Sequence, residues 1–365
     1  MSTAMAIEER DLDSLEKRQK FTISVIGCTR SGLSLAYFLA EAGFKTIVVD
    51  KNHSIISFLR NGNAPFLEPE LNALLKKHTK NGCLTFTNDI REASSKSDVI
   101  LLFLQTLIDR KKKPDCSHIE KACKEIGTSM CKGCLVILAS TIGVGLTERL
   151  IKEQLENASG MRSGIDFGLA YTPIRISPET IFKGFTTITS QFVSAVNEQS
   201  LRSARAILNT AIKADMIRTE EIKTAEVADL FEDAFQDVRI ALANECAQFC
   251  ERVGIDFMEI LNMMNRHSSC QLPVPRITRE HASKASFLLL EEAAITDAKL
   301  PLLALARKVN DEMLRHVLHL IIDGLRACNK TVRRAKVSIF GVSSHANMKE
   351  PVSYTHLRAH ETVLD

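Results

Sequence analysis

The stretch Ser24–Leu33, SVIGCTRSGL, constrains this chain more than any other. A β-like run, FTISVIG, leads into it. Gly27 opens a turn, Gly32 closes it, and the helical pattern Leu33–Ala42 follows. Strand, glycine turn and helix in that order open a parallel α/β unit. The spacing is close to G-x-G-x-x-G, with Thr29 in the place of the middle glycine.

A turn of this kind cradles a dinucleotide. The first glycine permits the tight turn, the second lets the pyrophosphate approach, and the third lets helix and strand pack closely. Gly27 and Gly32 keep the first and last roles. Thr29 sets a branched Cβ where phosphate needs room, and its hydroxyl or the guanidinium of Arg30 would offset this by contacting phosphate. Asp50 lies about 20 residues on, at the end of the second strand-like run, where an acid accepts a ribose diol and repels a 2′-phosphate. That favours NAD over NADP as cofactor. The alternative is a fold kept with an empty pocket.

Strand-like runs recur: FTISVIG, KTIVVD, CLTFT, DVILLFL, CLVILAS and FGLAYTP. Between them lie helical patterns at Leu33–Ala42, Ile55–Arg60, Leu71–Lys77, Ser117–Met130 and Thr147–Glu156. This alternation predicts a parallel sheet with helices on both faces. From about Ser200 the texture turns helical. SARAILNTA is followed by a long run in which Ala225, Ala228, Phe231, Phe235, Val238, Leu242 and Cys246 recur at three- and four-residue steps, and Gly254 ends it. Asp256–Met264, Ser286–Glu292 and Leu302–Cys328 continue the pattern, and RRAKVSIFGVSS then returns to strand and turn. The expected class is α/β: an N-terminal extension (1–20), a Rossmann-type NAD-binding domain (21–198), a central all-helical domain (199–328), and the truncated start of a second Rossmann-type domain (329–351).

Bulk properties exclude several functions. A net charge of +3 gives no footprint for nucleic acid or an anionic membrane. There is no Trp, so a base-stacking platform is not expected. No apolar run approaches the ~20 residues of a membrane span, and the charged start is no signal peptide. The ten cysteines have no repeated spacing and fit reduced thiols in a cytoplasmic protein. Cys131 and Cys134 form a C-x-x-C, but it opens a strand rather than a thioredoxin-type helix and has no second pair to complete a zinc site. RKKKPD is expected as a solvated loop. His316 and His319 share a helix face without further ligands and are expected to be structural; no metal is expected.

Several segments together resemble the UDP-glucose/GDP-mannose dehydrogenase family, in its archaeal UDP-N-acetylmannosamine dehydrogenase flavour. VVDKNHSIISFLRNGNAPFLEPELNALL is similar to the family's D-x-N…L-x-x-G…P-x-x-E-P-x-L segment. DVILLFLQT matches its nicotinamide strand, KGCLVILASTIGVGLTE its S-T-[VI]-x-x-G-x-T-E tract, ALANECAQFCERVGIDFMEI its N-E and G-[IV]-D helix, and ARKVNDEML a later helix. The resemblance runs from about Phe21 to Pro351. It implies oxidation of a nucleotide-sugar C6 alcohol to a carboxylate in two hydride transfers to NAD. It also implies a homodimer paired through the long central helix.

The resemblance further implies site roles. Thr106 and Thr141 each follow an apolar strand, at the edge where open α/β sheets place ligands. Thr106 would lie by the nicotinamide and Thr141 would help hold a catalytic water; both also read as plain strand-end caps. Arg175, in AYTPIRISP, would meet substrate carboxylate or phosphate, although Ile174 replaces the family's common glutamate. In the family pattern A-E-x-x-K-x-x-x-N, Ala225 and Glu226 match, but Asp229 stands for the lysine and Asp233 for the asparagine. On an exposed face the pair is a solvated acidic stripe; lining the site, it would oppose an oxyanion. The nucleophile tract P-G-x-G-x-G-G-H-C-x-P-x-D-P-x-x-L reads PVPRITREHASKASFLL. Pro273, Lys284 and Leu289 fit, with Lys284 on the substrate side. His281 falls at the cysteine position with one residue of slippage, and Ala285 at the aspartate. His281 is a candidate base or a surface histidine, and no base replaces a thioester-forming thiol.

Val352–Thr362, VSYTHLRAHET, fits no pattern of that family and reads like a translated sequencing adapter. Native sequence is therefore expected to stop at about Pro351, with 352–365 an artefact. Three functional readings stay open: a diverged nucleotide-sugar 6-dehydrogenase, a non-catalytic paralogue that binds or pairs, and a hydroxyacid-type dehydrogenase making one hydride transfer. The third would want a lysine where Asp229 stands.

Overall fold

The structure is a computed structural model that describes residues 6–64, 69–109, 112–174, 190–212, 214–266, 271–278 and 280–338, with only the backbone of 69–71, 74 and 280–283. The strands are β1 (Thr22–Ile26), β2 (Lys45–Val49), β3 (Leu84–Thr87), β4 (Val99–Leu102), β5 (Leu107–Ile108), β6 (Pro114–Asp115), β7 (Leu135–Leu138), β8 (Gly168–Tyr171), β9 (Ser190–Ala195) and β10 (Asp215–Arg218). The helices are α1 (Leu15–Arg18), α2 (Arg30–Glu41), α3 (His53–Arg60), α4 (Pro69–Lys80), α5 (Ile90–Ser95), α6 (Ser117–Gly127), α7 (Glu153–Ser159), α8 (Glu198–Ala211), α9 (Ile222–Val253), α10 (Phe257–Met264), α11 (Glu280–Ile295) and α12 (Pro301–Ala327). A π-helical turn, Thr147–Lys152, leads into α7.

The described residues form one eight-stranded sheet in the order β10-β9-β8-β7-β4-β1-β2-β3. Neighbours from β8 to β3 run parallel, as do β9 and β10, while β8 and β9 are antiparallel. Successive side chains of a strand face opposite ways, and here both faces are covered. Val99, Leu101 and Phe103 join a core with Leu33, Leu35 and Ile207. Ile100 and Leu102 join the opposite core with Ile119, Ile126 and Leu155. Burial on both faces explains why these strands read as continuous apolar runs rather than as alternations.

Four features extend or depart from the sequence expectation. The N-terminal extension packs: Ile7 and Leu12 are buried in the first core, and Ser203 Oγ donates to the carbonyl of Ile7 at 3.1 Å. The helix around SARAILNTA lies on β7, β8 and β9 and belongs with the sheet rather than with the helical part. Of RKKKPD, residues 112–115 are described: Pro114 and Asp115 form the return strand of a hairpin, with Leu107 paired to Asp115 and Ile108 to Pro114. Lys112 reaches Asp311 at 2.5 Å, while Lys112, Lys113 and Asp115 stay exposed, as expected of a solvated stretch. Finally, residues 331–338 carry no strand, and the rest of the expected second Rossmann-type start, with 352–365, lies outside the described residues.

The helical part is built on α9, against which α11 and α12 pack. Ala234, Leu230, Leu288, Leu289 and Leu303 form its apolar core. A buried polar network runs beside it. Asp237 accepts from Ser286 Oγ at 2.7 Å, Arg307 Nη1 at 2.6 Å and Asn310 Nδ2 at 2.8 Å. Asn244 donates to Asn310 Oδ1 at 2.9 Å and accepts from the backbone N–H of Arg276 at 2.8 Å. Among the described residues, no helix is long and apolar enough to cross a membrane.

Candidate functional site

The glycine turn is fixed by steric closeness. Gly27 has φ +109°, and a Cβ there would lie 2.6 Å from the carbonyl oxygen of Phe103. A Cβ on Gly32 would lie 2.5 Å from the Gly27 carbonyl oxygen and 3.0 Å from the Phe103 ring. Both positions need glycine because β4 and α2 press on the turn from two sides.

Thr29 is the N-cap of α2. Its backbone is extended, and Oγ1 accepts the N–H of Gly32 at 3.1 Å. The hydroxyl satisfies one of the orphan donors of the helix start. Threonine at the middle position thus caps the helix with the same hydroxyl that its sequence offers to a phosphate. Arg30 opens α2 beside it.

Asp50 follows β2 and faces back to the turn. Oδ2 accepts the N–H of Cys28 at 2.9 Å, and Oδ1 accepts the N–H of Asn52 at 2.9 Å. An ionised carboxylate has about four lone-pair sites, so capacity for a diol remains. Burial, reinforced by the neighbouring Asp50 charge, pushes the Cys28 thiol up and keeps it protonated.

Thr106 and Thr141 lie where the sequence suggested, past the carboxyl ends of β4 and β7. Thr106 is buried, and Thr141 is half-buried. Burial raises the Cys116 thiol, which the Thr106 hydroxyl beside it moderates. The segment after Thr141 is held by Glu226 of α9, whose carboxylate accepts the N–H of Thr147 at 2.9 Å and that of Gly145. Glu226 is fully buried; desolvation raises its pKa, while the two N–H groups and the Thr147 hydroxyl pull it down.

Lys284, on α11, donates from Nζ to Oε1 of Gln105 at 3.2 Å. This bond seats the α11 tract on the carboxyl edge of β4, next to Thr106. Gln105 was not singled out by itself in the sequence, although it lies within DVILLFLQT. The backbone places His281 in the first turn of α11, but its side chain lies outside the described residues, as does the whole of Arg175.

Asp229 is not part of an exposed acidic stripe, one of the two alternatives its sequence left open. It is fully buried, and the hydroxyl of Tyr171, at the carboxyl end of β8, donates to it at 3.2 Å. Asp233, one turn on, is half-buried. Asp229 thus sits against the carboxyl end of β8. Among the described residues, no cluster of His, Cys, Asp or Glu could hold a metal.

Comparison with known proteins places this arrangement. The profile described as "UDP-glucose/GDP-mannose dehydrogenase family, NAD binding domain" matches residues 21–212, and that family's central-domain profile matches residues 223–312. The chain belongs to the UDP-glucose/GDP-mannose dehydrogenase family. It is 30% identical over 323 residues to a UDP-N-acetyl-D-mannosamine dehydrogenase of Pyrococcus horikoshii, covering 88% of this chain and 75% of that one. An NDP-N-acetyl-D-galactosaminuronic acid dehydrogenase of Ralstonia solanacearum is 28% identical over 337 residues, 90% of this chain and 77% of its own. The solved UDP-D-ManNAc dehydrogenase of P. horikoshii superposes with a TM-score of 0.81, covering 88% of this chain and 76% of that one. A UDP-glucose dehydrogenase from Pyrobaculum islandicum, at 20% identity and a TM-score of 0.74, shares the fold over 84% of this chain and 71% of its own.

For a member of the UDP-glucose/GDP-mannose dehydrogenase family the cofactor is NAD, and the cradle suits it. Gly27 and Gly32 keep the first and last positions of the turn free of a Cβ, and Asp50 stands at the end of β2 with acceptor capacity to spare. The family's NAD-binding span also takes in Thr106 and Thr141. Its central-domain span takes in Glu226, Asp229 and Lys284, so the two matched spans meet at the Glu226–Thr147 and Lys284–Gln105 bonds.

Proposed function

We propose that the chain is an NAD-dependent nucleotide-sugar dehydrogenase of the UDP-N-acetylmannosamine or UDP-glucose type, acting on the C6 alcohol. The observation that carries this reading is the Lys284–Gln105 bond, which joins the substrate-side tract to the carboxyl edge beside Thr106. The name of the P. horikoshii relative supports the sugar class. Bound NAD accepts a hydride. Gly27, Arg30, Gly32 and Asp50 hold its phosphates and ribose, Thr29 lies at the phosphate approach and crowds it with its Cβ, and Thr106 and Thr141 stand at the nicotinamide end. Thr141 orients a water, and Arg175 and Lys284 face the sugar nucleotide. His281 takes the proton released from the alcohol.

A second reading has its own observation. Asp229 stands at the family's lysine position and is fully buried against Tyr171. A buried carboxylate there opposes the negative charge that develops on a substrate oxygen. This favours a paralogue that keeps the cofactor and acts by pairing or regulation.

One assay separates the two. The full-length protein is given NAD and a panel of UDP-hexoses, and NADH formation is followed. Turnover of any sugar supports the dehydrogenase. Binding of NAD by calorimetry with no NADH from any sugar supports the paralogue.

A homodimer through α9 is part of the proposal. Phe231, Phe235, Leu242 and Phe249 are all exposed, at steps of four and seven residues along the helix. Such a stripe has the spacing of a helix–helix seam. A cytoplasmic setting suits the nine described cysteines, all of them free thiols.

A further inference from the structure

Cys131 and Cys134 lie at the opposite edge of the sheet from the cofactor turn, where the chain enters β7. The N–H of Cys134 donates to the carbonyl of Cys131 at 3.2 Å, and Gly133 between them has φ +85°. A glycine with positive φ at the third of four residues is the mark of a type II turn. The end Cα atoms of a β-turn lie within about 7 Å, and a disulfide spans about 4.4–6.8 Å between Cα atoms. The C-x-x-C motif, which opens no helix and completes no metal site, is thus already folded into a ring that a disulfide would close.

The turn is held from outside. Gly133 N–H donates to the carbonyl of Asp166 at 2.6 Å, and Lys132 Nζ lies 2.8 Å from Asp166 Oδ1. The Cys131 thiol donates to the carbonyl of Ser95 at 3.4 Å. The two sulfurs also differ in access: Cys131 is exposed, whereas Cys134 is 2% exposed and enters the core. Burial first, and the adjacent Cys131 second, push the Cys134 thiol up to about 12. It stays a protonated thiol, sheltered from solution oxidants.

We propose that Cys131 and Cys134 are a reversible thiol–disulfide pair that takes a hydroperoxide as oxidant and closes across the turn. The Cys131 sulfur attacks a peroxide oxygen, the O–O bond breaks, and Cys131 becomes a sulfenic acid while water or an alcohol leaves. The Cys134 sulfur then displaces the sulfenic oxygen. The S–S bond forms, and the thiol proton departs with that oxygen as water. Two thiols and one hydroperoxide give one disulfide, one water and one further water or alcohol. Two electrons pass from sulfur to peroxide oxygen. A dithiol reductant reverses the change.

The test uses the full chain, exposed to a small excess of hydrogen peroxide, quenched, denatured, alkylated and digested for mass spectrometry. The peptide holding Cys131 and Cys134 should lose two hydrogens, about 2 Da, and take no alkyl label. Dithiothreitol should restore both labels. Exposed Cys328 reports how strong the oxidation was. In Cys134→Ser, Cys131 should run on to sulfinic acid. If that variant does not fold, Cys131→Ser serves instead, and Cys134 should keep its label at the same dose. Both thiols keeping their label in the native chain would overturn the proposal. So would native Cys131 reaching sulfinic acid as readily as in the variant.

Discussion

Glu226 and Thr147 belong to different parts of the molecule, yet the carboxylate of the first accepts the N–H of the second at 2.9 Å. The same carboxylate takes the N–H of Gly145. Glu226→Ala leaves the buried Thr147 N–H unpaired, worth about 1–3 kcal/mol, and adds a smaller loss at half-buried Gly145. Urea unfolding reads the loss.

The same residue predicts a pH dependence. The folded pKa of Glu226 lies above the ordinary 4.5 because burial disfavours the anion. As pH rises, the unfolded chain releases this proton first, and proton loss then favours unfolding. The Glu226 contribution to stability is therefore greatest below 4.5 and declines as pH climbs through the raised folded value. Unfolding curves across that window should show the decline in the wild type and lack this component in Glu226→Gln.

Thr29 separates stability from affinity. Thr29→Ala removes the Oγ1 cap on Gly32 and should cost about 1 kcal/mol, whereas Thr29→Gly should cost a few tenths. The glycine variant also clears the Cβ from the phosphate approach. It should bind NAD more tightly than the wild type despite being slightly less stable, as measured by calorimetry and thermal unfolding.

Arg307 and Asp237 form a buried ion pair at 2.6 Å. Asp237→Ala takes one of its two carboxylates from the guanidinium, leaving Asp311 on Nη2, and should cost about 1.5–3 kcal/mol for the lost charged hydrogen bond. Asp237→Asn should cost less, because it still accepts from Ser286 or Asn310. Melting temperatures of the two variants check the order.

Phe235→Glu puts a charge in the exposed stripe of α9 without touching the buried face. Light scattering should report a smaller particle than the wild type, with the melting curve of the monomer otherwise cooperative. An unchanged mass would set aside dimerisation through this helix.

The parallel strands were legible because burial on both faces makes them unbroken apolar runs, and Gly27 and Gly32 because steric closeness admits nothing larger. β9 and β10 were not. SQFVSA mixes polar residues into its inner positions, and DMIR is too short to show a period. The helical period of α9 was correctly seen, but the set that showed it runs through Phe231, Phe235 and Leu242, which are exposed, and passes over Leu230 and Ala234, which face the core. Asp229 was left open between surface and site because nothing nearby in sequence announces Tyr171. The partners of Asp237 on α11 and α12 lie 49 to 73 residues away, beyond the reach of any local pattern. Glu226 carried a signal, the A-E pair, though its partner loop could not be read from it.

The reversed strand β9 has a kinetic consequence. Its antiparallel pairing with β8 runs the chain from the carboxyl side toward the amino side, and β10 follows it in parallel up to Thr219, whose N–H donates to the carbonyl of Val193 at 3.2 Å just before α9 begins. The first turn of α9 thus hangs from β9 and β10 and cannot dock before they are laid down. Ladders between strands distant in sequence form slowly. The expected order of assembly is the nucleotide cradle first and the helical half last, so that early cofactor capture would favour the half-built sheet over its unfolded competitors.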